Sequence, residues 1–393
     1  MSDALPRWEL SDDQRSIRDA VDEGMKRFPL DYWREVDRRA TFPDEFVSFA
    51  AAQGWLGVAM PAEYGGAGLG VSAAVVMMEA VSRGGGGMTG ASAIHMNVFG
   101  TNVVAKNGSP EMKRQYLPDV IAGKLRVAFG VTEPESGLDT TSLRTRAVRR
   151  GSDWVVNGRK VWISTAQVAD KILLLARSRD PEPGEPQDAG LTLFFTDLDR
   201  SRITVREIEK LGRAAVDSNE LFIDDLIVPD RDRVGEEGRG FRLLLDGLNP
   251  ERLMMASEAV GIGRAALAIA ADYARQRVVF GRPIGQNQGI QFPLAESYAK
   301  LETVWLMILR GAELYDRGRD CGAEANIAKL LGAESGFEAA DRAMQVLGGY
   351  SYAKEYHLER LWREVKLTRL APVSPELILC YLAERKLGLP KSY

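Results

Sequence analysis

Phe129-Gly130-Val131-Thr132-Glu133-Pro134-Glu135-Ser136-Gly137-Leu138-Asp139, followed by Val161-Trp162-Ile163-Ser164, is the stretch around which this sequence is organised. The first piece runs from a β-like segment into a loop interrupted by Pro134 and Gly137. Such a loop offers backbone N–H groups and the Thr132 hydroxyl to a ligand instead of closing on itself. In the second piece an indole and a hydroxyl occupy alternate positions. Strand side chains alternate between faces, so Trp162 and Ser164 are expected on one side, an aromatic wall and a donor suited to a flat polar ring such as a flavin. The alternative is that Trp162 is ordinary core and the loop an ordinary turn.

Outward from this stretch, the hydrophobic period changes from about four to two near Leu125, and Val, Ile, Phe and Trp gather in short runs bounded by turn residues. Asn157-Gly158, between Trp154-Val155-Val156 and Lys160-Val161-Trp162, predicts a two-residue hairpin. Further strands are expected at 171–176, 191–195, 203–207 and 220–223, and the acidic, proline-rich Asp180–Ala189 reads as a solvated loop. On the N-terminal side, Ser11-Asp12-Asp13-Gln14 forms a capping box ahead of Ile17, Val21 and Met25, which predicts an amphipathic helix. Further helices are expected from Pro43 to Gly54 and over 71–81, 95–106 and 110–122. Gly84–Gly87 and Pro61–Gly70 lack the following Lys-Ser/Thr of a phosphate loop and read as flexible turns. After Gly240 strand signals vanish, and helices are predicted over 241–248, 250–277, 290–317, 323–347, 353–370 and 375–387. The resulting fold class is α+β: a helical domain (1–124), a β-barrel or sandwich domain (125–236) and a C-terminal four-helix bundle (237–393).

The totals set limits. At 393 residues and 45% hydrophobic content, the chain can bury more than one core. A net charge of −4 without basic clusters argues against nucleic acid and anionic membrane as partners. Cys321 and Cys380 have neither disulfide nor metal spacing, so no metal is expected and a reducing cytoplasm fits. The opening MSDALPRWEL lacks an apolar signal core, and Leu253–Ala271 is broken by Glu258 and Arg264, so no membrane span is expected. Gly261-Ile262-Gly263-Arg264-Ala265-Ala266 matches GxGxxA but follows no strand, and reads as small residues for close helix packing.

FGVTEPESGLD and GRKVWIST together resemble the acyl-CoA dehydrogenase family. EYGGAGLG, ELFIDDLIVP, RQRVVFGRPIGQNQGIQF and AMQVLGGYSYAKEYHLERLWRE resemble its signatures in the same order, over nearly the whole chain. The resemblance implies FAD, with Phe129, Val131, Thr132, Trp162 and Ser164 lining the isoalloxazine and Thr132 and Ser164 donating to its polar edge. It further implies that Arg277 and Phe280 reach the dinucleotide half of a neighbouring subunit's FAD, that Gln288, Gln345, Gly348 and Gly349 complete that cradle, and that the assembly is a homotetramer, a dimer of dimers. Ser374 keeps a hydroxyl where the family usually has Thr. Leu138 stands where it usually has a Ser near the substrate.

Dehydrogenating an acyl thioester needs a carboxylate that removes the α proton while the β hydrogen leaves as hydride. Counted from Glu359-Arg360-Leu361-Trp362-Arg363, the family's usual glutamate position holds Pro372, which is no base and offers no N–H to the thioester oxygen. Relatives resembling isovaleryl-CoA dehydrogenase place the base on an internal helix instead, at the position of Glu251. With Asn249 as N-cap and Pro250 at the first helical position, Glu251 is expected in a first turn, where the helix dipole favours the ionised base. Arg252 would orient substrate or the Pro372 loop; Glu364 and Glu376 rank below Glu251. The implied reaction is α,β-dehydrogenation of acyl-CoA, or of an acyl group on a carrier protein, with electron-transfer flavoprotein as acceptor. The alternatives are nitroalkane-oxidase-like or hydroxylase-like flavin chemistry on the same fold, or a binding homologue without catalysis.

Overall fold

Ser11 accepts the Gln14 N–H while Gln14 reaches back to the Ser11 N–H at 2.9 Å, and this capping box starts α1 (Asp12–Met25). The computed structural model describes residues 10–392, so the expectation on the extreme N-terminus lies outside the described residues for 1–9. Helices α2 (Leu30–Arg39), α3 (Asp44–Ala52), α4 (Gly70–Val81), α5 (Gly87–His95), α6 (Asn102–Asn107) and α7 (Pro110–Ile121) follow. The sequence reading missed α2, whose strongly polar run contributes one wholly buried anchor, Trp33.

Gly84–Gly87 is not the expected flexible turn. It is a buried helical kink that joins α4 to α5, with Gly85 at φ 101° and Gly87 at φ 57°. A Cβ on Gly87 would meet Glu364 Oε2 at 2.5 Å, so glycine is required where a C-terminal helix presses against the kink.

The middle of the chain forms β1 (Val127–Gly130), β2 (Arg146–Arg150), β3 (Asp153–Ser164), β4 (Lys171–Arg177), β5 (Leu191–Asp197), β6 (Ile203–Glu207), β7 (Ser218–Pro229) and β8 (Arg233–Val234). They make one mixed sheet in the order β6-β7-β3-β2-β4-β5-β8, with β1 parallel to β4. The predicted Asn157-Gly158 hairpin is overturned: β3 runs straight through it. The turn lies at Gly151-Ser152, between the paired Arg150 and Asp153. Gly158 serves a close approach, since its Cβ would lie 2.7 Å from the Thr145 Cα. The Asn157 amide exchanges hydrogen bonds with Asp225 across the bulge between β3 and β7.

The predicted helices at 241–248 and 250–277 are one, α8 (Gly240–Gln276), with Pro250 in its interior. Burial against neighbouring helices outweighs the missing proline N–H. Its most apolar window is 78% buried inside the protein, so this long apolar helix is a core helix. A short ribbon, β9 (Val278–Val279) with β10 (Arg282–Pro283), leads to α9 (Gln288–Asp316) and α10 (Gly322–Leu347). The helix expected over 353–370 is broken into short turns around α11 (Leu358–Val365), and α12 (Pro375–Arg385) closes the chain. Gly261 and Gly263 sit in α8 where another helix comes close: a Cβ on Gly261 would lie 2.5 Å from the Glu79 carbonyl oxygen. One core joins Trp33, Phe46 and Trp55 to Leu253, Leu301 and Ile308, fusing the N-terminal helices with the bundle.

Candidate active site

The loop after β1 is held by a buried cation. Lys160, on β3, has no solvent exposure, and its Nζ donates to Glu133 Oε1 at 2.8 Å, the Val131 carbonyl at 3.1 Å and the Leu175 carbonyl at 2.7 Å. Glu133 also accepts from the N–H groups of Arg144 and Thr145. Burial lowers the Lys160 amine to about 8 despite Glu133; the Glu133 carboxyl stays below its ordinary range because Lys160 and the N–H donors outweigh its own burial. The clamp fixes Thr132, whose carbonyl accepts the Val161 N–H at 2.9 Å.

An extra residue between Lys160 and Ile163 breaks the β3–β7 register, and Trp162 adopts φ 62° with 59% of its surface exposed. Ile163 is buried and Ser164 partly exposed, and the extra residue at Trp162 interrupts the simple alternation that would place Trp162 and Ser164 on one face. Ser164 Oγ accepts from Arg213 at 3.0 Å, which leaves its own proton free to donate. The same guanidinium reaches Ser92 on α5 at 3.0 Å. Phe129 and Thr132 are partly exposed, Val131 is buried and Leu138 is exposed.

On the helical side the acids separate by environment. Glu364 is buried and fully engaged, accepting from the Thr89 N–H, the Thr89 hydroxyl and Arg360. Glu376 is an exposed first-turn residue of α12, held ionised by its own backbone N–H and by Ser374, which caps that helix by accepting the Leu377 N–H. Glu258 pairs with His95 Nδ1 at 2.8 Å. Among the described residues Glu251 has neither hydrogen bond nor ion pair, and its residue is partly exposed. Burial of its carboxyl, reinforced by Glu258 and opposed by His95 and Arg252, raises its pKa.

The expected N-cap geometry is corrected here. Asn249 and Glu251 lie inside α8, so no helix N-terminus acts on Glu251, and Asn249 Oδ1 instead accepts from Arg252 at 2.9 Å. The loop that carries Pro372 is held not by Arg252 but by Lys329, whose amine donates to the Val373 carbonyl. Burial, and then repulsion by Arg252, lowers that amine to about 8.

At the far side of α8, Arg277, Gln345, Gly348 and Gly349 line a cleft of about 490 Å³ together with Tyr273 and Tyr350. Gln288 is exposed at the first turn of α9, and Phe280 projects fully exposed from the turn between β9 and β10.

The three domains of the acyl-CoA dehydrogenase family match this chain: the N-terminal domain over residues 11–124, the middle domain over 128–226 and the C-terminal domain over 238–372. The chain belongs to the acyl-CoA dehydrogenase family. It is 36% identical over 385 residues to acyl-CoA dehydrogenase FadE12 of Mycobacterium tuberculosis, covering 98% of both chains. It is 35% identical over 338 residues to a 3-(aryl)acrylate reductase of Clostridium sporogenes, covering 85% of this chain and 87% of that one. The glutaryl-coenzyme A dehydrogenase in complex with glutaryl-CoA superposes with a TM-score of 0.92 at 29% identity, covering 98% of this chain and 97% of the other.

As a member of this family the protein is an FAD-dependent oxidoreductase acting on acyl-CoA, and its residues fit that cofactor. At one end the free Thr132 and Ser164 hydroxyl protons and the exposed Trp162 indole suit a flat polar ring. At the other, Arg277 has no ion-pair partner among the described residues, and Gly348 and Gly349 have open space where a Cβ would stand, so an anionic dinucleotide can approach the backbone closely beside the guanidinium. Among the described residues no cluster of His, Cys, Asp or Glu could hold a metal.

Sequence reasoning missed Lys160, Glu133, Arg213, His95, Glu258 and Lys329. Lys329 carried a usable signal, a lone cation within the apolar run Ile327-Ala328-Lys329-Leu330-Leu331. Glu133 lay inside the decisive loop, but its partner is set by pairing distant in sequence.

Proposed function

We propose that this acyl-CoA dehydrogenase removes the α proton of an acyl thioester with Glu251. The observation that carries the reading is the contrast among four acids: Glu364 and Glu258 are engaged and Glu376 lies exposed in a first turn, while Glu251, on a partly exposed residue, has no partner and is held above its ordinary range by burial of its carboxyl. A carboxylate in that state is poised to take a proton once the acyl chain excludes water. Bound FAD supplies the oxidant, accepting the β hydrogen with its electron pair as the α,β double bond forms. Thr132 and Ser164 orient the ring edge by donating to it, Trp162 walls it, and Lys160 keeps Thr132 in place through the Glu133 clamp. Asn249 holds the Arg252 guanidinium beside the base.

On this reading, Arg277, Phe280, Gln288, Gln345, Gly348, Gly349 and Ser374 serve the rest of the cofactor, the first two from a neighbouring subunit in a homotetramer. Electrons then pass to an electron-transfer flavoprotein in the cytoplasm. The exposed Phe280, which nothing in a single chain covers, supports such a neighbour.

The test is anaerobic flavin bleaching with straight, branched, cyclic and arylpropionyl thioesters of CoA; the aryl members follow from the name of the clostridial relative. Glu251→Gln should keep the fold and FAD while slowing flavin reduction by ~100-fold or more, the scale of a lost general base. A loss of only a few fold would sink Glu251 as the base.

A further inference from the structure

The loop between β6 and β7 delivers one guanidinium to serines on three different elements. Arg213 donates from one terminal nitrogen to Ser92 Oγ on α5 at 3.0 Å. From the other it donates to Ser164 Oγ at the end of β3 at 3.0 Å and to Ser218 Oγ at the start of β7 at 3.1 Å. Ser92 and Ser218 are buried, and Arg213 Nε is shut off from water without an acceptor. Arg213 also holds φ 59°, in the left-handed region that disfavours residues with a Cβ. Backbone in that state persists only where its surroundings over-determine it, and it gathers at functional sites.

The guanidinium has no counter-charge in contact. Among the described residues Arg213 forms no ion pair, and the acids that act on it through space are committed elsewhere. Asp217 accepts from Gln167 and Asn219, Glu364 from Thr89 and Arg360, and Glu258 faces His95. Withdrawing a cation from water without a paired anion is costly, and neutral hydroxyls offset only part of that. A tie among α5, β3 and β7 needs hydrogen-bond donors but no charge. A fixed charge is useful here if negative charge develops beside Ser164 during the reaction.

We infer that Arg213 is a positioning residue that tunes the bound flavin: acting through Ser164, it stabilises the negative charge that the ring gains on reduction and raises the midpoint potential of the cofactor. The inference rests on the reading above, in which Ser164 donates to the ring edge, and adds a residue that sets the driving force of that reaction. In the step, the β C–H bond breaks and its hydrogen goes to the ring with the electron pair, leaving the ring one unit more negative. The α C–H pair becomes the second bond of the alkene, its proton goes to Glu251, and Arg213 neither gains nor loses a proton. By donating to Ser164 Oγ, Arg213 leaves that hydroxyl's one proton for the ring and polarises it, which strengthens the bond it makes. The cation itself then stands one hydroxyl away from the developing charge, held in place in advance by the two other serines.

The test is spectroelectrochemical titration of the FAD-loaded protein with no acyl ligand present, so it is independent of Glu251. Arg213→Met should make the equilibrium constant for two-electron reduction ~10-fold smaller, a midpoint about 30 mV below the wild type. Arg213→Lys, which keeps the charge but not the fork, should lose less. Ser164→Ala breaks the relay and should lower the midpoint by itself, and adding Arg213→Met to it should then lower the midpoint less than in the wild-type background. If Arg213→Met loses its flavin, Arg213→Gln, an uncharged donor to the same serines, carries the same prediction, and Ser164→Ala remains an independent arm. A midpoint unmoved in the uncharged variants, with only unfolding stability lowered, shows a structural tie and overturns the inference, as does an unmoved midpoint in Ser164→Ala. If the midpoint is unmoved while acyl thioesters still bleach the flavin, only the role of Arg213 falls. If the midpoint shifts as expected while no thioester bleaches the flavin, the acyl-CoA reading falls and the tuning stands.

Discussion

Lys160 Nζ stands 2.8 Å from Glu133 Oε1, with both side chains almost wholly excluded from water, and this pair ties the flavin-side loop to the strand that carries Trp162. Breaking a buried pair by removing one partner leaves the other charge uncompensated. Lys160→Met should therefore lower unfolding stability by about 3 kcal/mol in denaturant titration. It should also weaken FAD retention, because Thr132 loses its anchor. Adding Glu133→Gln to Lys160→Met should recover part of the stability, since no charge is then stranded. An unchanged unfolding midpoint in the single variant would show that the loop is held by other contacts.

The glycine pattern in α8 separates packing from cofactor binding. A Cβ on Gly261 would stand 2.5 Å from the Glu79 carbonyl oxygen and 2.8 Å from the Ser82 Cβ, backbone and near-backbone atoms that cannot swing away. Gly261→Ala should destabilise the protein by roughly 1–3 kcal/mol, the range for an overpacked core. The FAD content of the folded fraction should stay as in the wild type. Flavin lost from protein of undiminished stability would restore a nucleotide-binding role to this motif.

These cases show where the sequence was legible. The fold class could be read because hydrophobic period and turn residues report local structure: the helical opening, the strands after Leu125 and the long helices after Gly240 all carry their own signals. Asn157-Gly158 misled because a glycine needed for close approach to Thr145 looks, in one dimension, like a glycine needed for a turn. Asn249-Pro250 misled in the same way, since a proline tolerated inside a buried helix resembles one that starts a helix. The quoted flavin loop was visible, but the cluster of His95, Glu258, Arg213 and Lys329 was not. Its members come from α5, α8, α10 and the stretch before β7, and only tertiary packing brings them together.

Phe280 offers a test of the assembly. It stands at the turn of the β9–β10 ribbon with φ 49° and full exposure, three residues from Arg277. If it covers a neighbouring subunit's FAD, Phe280→Ala should raise the dissociation constant for FAD by ~10-fold, in line with truncation of a buried aromatic anchor. Monomer stability should not change. The readouts are flavin retained after gel filtration and molar mass by light scattering. Undiminished flavin affinity in a tetramer would remove Phe280 from the cofactor site.

The last prediction concerns pH. Glu251 must be ionised to accept a proton, so flavin reduction is active above its pKa and falls as pH drops through it. Burial, with the like charge of Glu258, raises that pKa, and His95 and Arg252 oppose the shift. The acid limb of the single-turnover rate should therefore lie above the ordinary carboxylate value of 4.5. Replacing His95 takes away an opposing cation, which favours the protonated base. In His95→Gln the limb should move to still higher pH while the plateau rate at alkaline pH is largely kept. Loss of His95 packing alone would depress the rate at every pH without moving the limb. A limb that stays in place would thus separate His95 from the base, and a limb at the ordinary carboxylate value in the wild type would show that Glu251 does not titrate in the desolvated setting found here.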